Sequence, residues 1–169
     1  MSISIHDLTV PALTRGLSIL STYLDKAEAD AEARNIKPAA ILDARLYPDM
    51  LSFASQVQRV SDTAKASVAR LAAVEAPAFE DTETSFAELK ERVAKTIAYI
   101  ESVPASAFEG AGERSIELRF GKLTKTLSGR DYVTKFMLPN FYFHVVTAHD
   151  ILRHNGVVVG KRDFLGIQD

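Results

Sequence analysis

The residues most able to do chemistry are concentrated near the C-terminal end of the chain. His144, His149 and His154, three of the four histidines, fall between Leu138 and Gly156, where apolar residues recur at helical spacing. An imidazole can act as a general base near neutral pH or bind a metal ion. Successive helical residues are about 100° apart, so His144 and His149 lie on different edges of the apolar face. They therefore do not form the i, i+4 pair that holds a metal.

His144 has polar neighbours on its own helix and across the predicted core. Asn140 precedes it by four residues and lies near the same helix edge. Gln56 is the polar residue of the second predicted helix best placed to face the interior, and Asp49 lies on the same flank. We predict a ligand pocket formed by Asp49, Gln56, Asn140 and His144, with His144 as its catalytic candidate. A histidine on an apolar helix edge is more often a hydrogen-bonded core residue, so both interpretations stay open.

Four long helices must position these residues. Their predicted bounds are Ser4 to about Arg34, Pro48 to about Val74, about Ser85 to Ser102, and a last helix that ends near Gly156. Each has an apolar face at a period of about 3.6 residues. Residues 131–137 also look helical, so Pro139 either kinks one long helix or opens a second. The pattern predicts an all-α, up-and-down four-helix bundle.

A β-hairpin is predicted between the third helix and the last one. The segment from Ser115 to Ser128 alternates apolar and polar residues around Gly121-Lys122, a pair typical of a two-residue type II′ turn. This turn would pair Phe120 with Leu123 and bring Ile116 opposite Leu127. A lone hairpin is marginal in water, so we expect it to pack on the bundle or on another subunit.

Composition restricts the class of protein. The 169 residues carry a net charge of −2 and no cysteine. No basic cluster is present, which argues against nucleic-acid binding, and no apolar run is long enough to cross a membrane. The absence of cysteine excludes thiolate catalysis, disulfides and cysteine-bound metal. The N-terminus shows no secretory pattern. We expect one cytoplasmic domain over residues 1–169.

Several segments together resemble a known family. They are Ala44–Met50, Pro77–Asp81, Phe86–Leu89, Leu138–His144, Leu152–Val157 and Gly160–Gly166. With the predicted helices, they resemble the DinB/YfiT-like superfamily, and more closely a bacterial branch known only as a domain of unknown function. The superfamily resemblance implies a four-helix bundle, a homodimer and a divalent metal held by three histidines. Members similar to bacillithiol transferases and mycothiol-dependent isomerases use that metal to activate a thiol.

The metal ligands implied by the resemblance are mostly replaced in this chain. His144 matches the second histidine of the pair on the last helix, and Asn140 stands where the first should be. Gln56 or Gln58 stands near the position on the second helix. Amides are weaker ligands for transition metals than imidazole. We therefore expect no metal cofactor; His144, Asn140 and Gln56 are weak candidates, and zinc or nickel binding is the alternative.

Three hypotheses for function remain. The first is a module that binds a small molecule or a protein, with a degenerate metal site. The second is a divalent-metal-dependent enzyme, of thiol transferase or hydrolase type, with His144 as ligand or base and a carboxylate such as Asp49 completing the site. The third is a metal-free catalyst in which a carboxylate pairs with His144. The sequence favours the first slightly and leaves open whether the protein is an enzyme.

Overall fold

A computed structural model describes residues 3–167, and the ends of the predicted domain, 1–2 and 168–169, lie outside these. The chain is mostly helical with one two-stranded antiparallel hairpin. The elements are α1 (Ile5–Ala33), α2 (Pro38–Leu42), α3 (Phe53–Ala72), α4 (Phe86–Ser102), β1 (Ser115–Phe120), β2 (Leu123–Ser128), α5 (Gly129–Tyr132), α6 (Leu138–His154) and α7 (Lys161–Phe164). Within residues 3–167, no helix is both long and apolar enough to span a bilayer.

Side-chain caps fix the starts of α1 and α4 where the sequence predicts them. The hydroxyl of Ser4 accepts the N–H of Asp7, and the Asp7 carboxylate accepts the N–H of Ser4 in return. Ser85 and Glu88 make the same reciprocal pair at α4. Such capping boxes satisfy two N–H groups that lack a partner within the helix. The predicted bounds of these two helices are confirmed.

The predicted start of the second helix at Pro48 is wrong. Helix α3 begins at Phe53 because the Ser52 hydroxyl caps it by accepting the N–H of Ser55. The N–H of Phe53 donates to the carbonyl of Ala44 at 2.9 Å, which folds the preceding segment into a turn. A serine cap satisfies an N–H of the first helical turn, whereas proline only tolerates that position. Residues 48–52 therefore lie outside the helix.

The last helix is continuous from Gly129 to His154, and Pro139 neither ends it nor starts a separate one. A π-helical turn at Val133–Met137 joins α5 to α6, with the N–H of Leu138 donating to the carbonyl of Val133. Proline lacks an N–H and crowds the carbonyl four residues earlier. The wider π turn accommodates this defect within a helical path.

The four longest helices pack around one core. Helix α1 contacts both α4 and α6, and helix α3 contacts the same two helices. Gly16, in the middle of α1, lies against the fully buried ring of Phe141 on α6. A Cβ at Gly16 would be 2.3 Å from that ring. Glycine costs helix stability relative to alanine, so close packing of α1 on α6 accounts for it.

The hairpin has the predicted register. Phe120 pairs with Leu123, and Ile116 pairs with Leu127. Gly121 has a φ of +59°, which suits the first position of the turn. Ile116 on β1 is buried, together with Leu118. The hairpin therefore packs on the helices through β1. It needs this packing because an isolated two-stranded hairpin is only marginally stable in water.

A cluster of ion pairs around a buried arginine joins α3, α4 and the loop between them. Arg92 on α4 is 3% exposed. Its guanidinium lies 2.9 Å from Asp62, 2.9 Å from Asp81 and 2.8 Å from Glu83, and its Nε donates to Ser61. Burial raises the pKa of Glu83, but hydrogen bonds, chiefly from Arg92, hold that pKa below its ordinary value. We call Arg92, Asp62, Asp81 and Glu83 the Arg92 cluster.

Candidate functional site

A cavity of about 330 Å³ opens between α3, β1 and the last helix. One of its walls is a row of residues at four-residue intervals: Tyr132, Phe136, Asn140 and His144. The π turn lies within this row, so it sets how the two aromatic residues align with the two polar ones. We call this space the His144 cavity.

A chain of hydrogen bonds fixes the orientation of His144. The Gln56 amide nitrogen donates to the carbonyl of Leu51 at 3.2 Å, and the Gln56 amide oxygen lies 2.7 Å from Nδ1 of His144. A backbone carbonyl can only accept, so the amide oxygen must face the imidazole. Nδ1 of His144 therefore carries the proton, and Nε2 carries the lone pair. Within residues 3–167, Nε2 makes no hydrogen bond.

Burial lowers the pKa of His144, and the positive charge of Arg59 lowers it further. A desolvated imidazole loses the hydration that stabilises its charged form. His144 is therefore neutral at pH 7. In this state Nε2 can accept a hydrogen bond from a hydroxyl or amine group, or take up a proton.

This lowered pKa predicts a loss of stability in mild acid. The unfolded chain takes up a proton at His144 near the ordinary value of 6.5, while the folded protein resists it until a lower pH. The free energy of unfolding should therefore fall as the pH drops below 6.5 towards the lowered pKa, and be unaffected by this group at higher pH. Urea denaturation between pH 5 and pH 8 checks this. His144→Gln should flatten the curve, whereas His154→Gln, which removes an exposed histidine, should not. An unchanged curve in His144→Gln would contradict the expectation.

The structure brings three of the four predicted pocket residues together. Gln56 is hydrogen-bonded to His144, and Asn140 lies one turn away, where its amide nitrogen donates to the hydroxyl of Thr63 at 3.0 Å. Asp49 is exposed in the turn before α3 and does not line the His144 cavity. Its predicted place on the flank of α3 fails because the helix begins after it.

The residues around His144 do not fit a resident metal ion. The Gln56 oxygen and Nδ1 of His144 are 2.7 Å apart, a hydrogen-bond distance that leaves only Nε2 of His144 for a cation. The amide nitrogen of Asn140 donates to Thr63, and an amide oxygen is a weaker ligand for transition metals than imidazole. No cluster of three His, Asp or Glu side chains able to hold a metal occurs within residues 3–167.

The pairing of histidine with a carboxylate occurs at His149 and not at His144. Nδ1 of His149 lies 3.0 Å from the carboxylate of Asp150, on a different edge of α6 from His144. The ring of His149 packs on Tyr23, with ring centroids 5.7 Å apart. His144 faces an amide instead, so the third hypothesis lacks the carboxylate it needs beside this histidine.

Sequence reasoning missed the cationic and aromatic residues of the cavity. Arg70 and Arg119 line it, as do Phe120 and Phe136. A signal existed for Phe136, because it lies four residues before Asn140 in a segment already predicted to be helical. Arg119 and Phe120 depend on where the hairpin packs, and Arg70 depends on where the last helix places Tyr132; the sequence pattern specifies neither.

Comparison with known proteins covers almost the whole chain. Residues 5–165 match the model of a family described as "Domain of unknown function (DUF1993)". A crystal structure of a DinB family member from Shewanella denitrificans is 40% identical to this chain, with a TM-score of 0.89; the match covers 96% of this chain and 92% of that one. No curated protein matches the sequence. The resemblance to DinB-like proteins is confirmed, and the chain belongs to the DUF1993 family.

Proposed function

We propose that this protein binds a small molecule in the His144 cavity, on a scaffold that is an up-and-down four-helix bundle. One observation carries the proposal: the hydrogen bonds that link Leu51, Gln56 and His144 fix the Nε2 lone pair of His144 without using it. A purely structural histidine in the core has its polar atoms satisfied by neighbours. Here one nitrogen is satisfied and the other makes no hydrogen bond within residues 3–167.

The cavity itself supports a small ligand better than a protein partner. Its volume of about 330 Å³ lies at the lower end of the range of small-molecule sites. Apolar and aromatic walls with a few polar groups are typical of such sites. Phe120 and Phe136 form an edge-to-face pair with ring centroids 5.5 Å apart, and Asn140 and His144 are among the polar groups of the lining.

Filling the cavity should abolish binding. Ala66 on α3 lines the cavity, so Ala66→Phe would place a ring inside it. Ala94 is exposed on α4, and Ala94→Phe is the matched control. We expect aromatic fragments, screened by NMR on the ¹⁵N-labelled protein, to shift signals of His144 and Asn140, and to do so in Ala94→Phe but not in Ala66→Phe. Thermal melts would check that both variants remain folded. Fragments that ignore the cavity, or that bind Ala66→Phe as well, would contradict the proposal.

Calorimetric titration with zinc or nickel separates this proposal from a metal-dependent enzyme. His144 offers one free nitrogen, Nε2, and no group of three His, Asp or Glu side chains that could hold a metal occurs within residues 3–167, so we expect no tight site. Binding of one zinc ion per chain that is lost in His144→Gln would overturn the proposal in favour of a metal site.

A further inference from the structure

The His144 cavity is more positive than the protein around it. Three arginines line it, Arg59, Arg70 and Arg119, with Asp62 as the only carboxylate among its lining residues within 3–167. The protein as a whole carries a net charge of −2. A cleft of one sign attracts ligands of the other sign. The charge of the lining therefore favours an anionic ligand.

The three arginines differ in what already neutralises them. Arg59 contacts both Asp62 and Asp81, and Arg119 donates to Glu117 on the same strand at 2.8 Å. Arg70 contacts no carboxylate within residues 3–167; its one partner is the hydroxyl of Tyr132, at 3.3 Å. A cation in the last turn of a helix is stabilised by the helix dipole, which explains a positive residue there but not its contact with Tyr132.

Tyr132 holds that guanidinium at one end of the cavity. Its hydroxyl also bonds to the buried hydroxyl of Ser67 at 2.8 Å. In this second bond either hydroxyl can be the donor, since the Tyr132 oxygen can accept from Arg70 in both cases. The contact leaves most of the guanidinium N–H groups of Arg70 available. Guanidinium groups bind carboxylates through two parallel hydrogen bonds.

The cavity has two chemically different ends. Along α3 its lining runs from Arg59, near His144, to Arg70, near Tyr132. At 1.5 Å per residue these two positions are about 16 Å apart along the helix axis. Phe136, whose ring stacks on that of Tyr132 with centroids 5.8 Å apart, lies between the two ends. A flat apolar group fits such a wall.

We propose that the ligand is an elongated aromatic carboxylate, with its carboxylate on Arg70, its ring against Phe136, and a hydrogen-bond donor at its far end on Nε2 of His144. This rests on the function proposed above and names the class of molecule bound there. Each part of the ligand corresponds to a group of the protein that the fold leaves accessible.

The test compares two probes of the same length and different charge. 4-Hydroxycinnamate carries a carboxylate and a phenol, and 4-hydroxycinnamamide replaces the carboxylate by a neutral amide. We expect the acid to bind at least about tenfold more tightly than the amide by NMR titration, because charge-assisted hydrogen bonds are stronger than neutral ones. Arg70→Gln should remove that difference. Arg130→Gln, a charge change on an exposed residue outside the cavity, should retain it.

The outcomes distinguish this inference from the function on which it rests. Equal affinity for acid and amide, or the same preference in Arg70→Gln as in the unmodified protein, would overturn the inference. So would failure of both probes to bind a cavity that does bind other aromatic fragments. If no fragment binds in the cavity at all, the proposed function fails, and the inference fails with it.

Discussion

Arg92→Leu should lower the free energy of unfolding by about 3 kcal/mol, at the lower end of the cost of breaking a buried ion pair, because it leaves the carboxylate of Glu83 buried without its cation. Asp62 and Asp81 are more exposed and keep their contacts with Arg59. The side chain of Arg92 is 2% exposed and contacts three carboxylates, of which Glu83 is 12% exposed. The substitution keeps much of the apolar volume, so the loss reports on charge. Urea denaturation at pH 7 measures it.

Lys95 provides the matched control on the same helix. It pairs with Glu91 at 2.6 Å, and both side chains are about 60% exposed. Surface pairs of this kind contribute at most about 1 kcal/mol. Lys95→Leu should therefore change stability little. If Arg92→Leu behaved like Lys95→Leu, the carboxylates of the Arg92 cluster would have to rehydrate at little cost, and the cluster would not hold the α3–α4 loop.

Gly129→Ala should also destabilise the protein, by about 3 kcal/mol or more, at the upper end of the usual cost of overpacking. A Cβ at Gly129 would be 1.8 Å from the backbone oxygen of Ala111 and 3.4 Å from Leu71. Backbone cannot move aside as the end of a flexible side chain can. Gly129 also directly follows β2, so its displacement would shift the hairpin relative to Tyr132 and the His144 cavity.

Gly160 is the control for adding a methyl group. Nothing lies within 4 Å of a Cβ built there, and its φ of −155° is open to any residue. Gly160→Ala should change the free energy of unfolding by no more than about 0.5 kcal/mol, as a typical surface substitution does. The melting temperature should therefore change little. Equal melting temperatures for Gly129→Ala and Gly160→Ala would show that the segment around Ala111 can rearrange freely.

Local signals were sufficient for much of the fold. The serine caps of α1 and α4 and the Gly121-Lys122 turn act within a few residues, so the sequence contains all their partners. The start of α3 was mispredicted because Pro48 and Ser52 both suit a helix start, and the contact of Phe53 with Ala44 decides between them. That contact depends on how the preceding turn folds.

The candidate site was only partly predictable. Periodicity placed Asn140 and His144 on one helix edge and Gln56 on the facing helix, and the structure brings these together. No local pattern marks Arg92 as a buried residue, because its partner Asp62 is 30 residues away in sequence. Arg70 became a candidate only once the last helix had placed Tyr132 beside it. Such pairings are set by tertiary packing, which no local pattern contains.

The π turn before Pro139 has a consequence for how this cavity could diverge among related proteins. A π turn contains one residue more than the α-helical path needs. Loss of a single residue from 133–137 would convert this segment into an ordinary α-helical turn, while Tyr132 on one side and Asn140 and His144 on the other kept their faces. Phe136, which lies inside the π turn, is the cavity residue whose position would change. One codon deletion or insertion at this point would therefore exchange the aromatic residue in the middle of the cavity without moving the residues at its two ends.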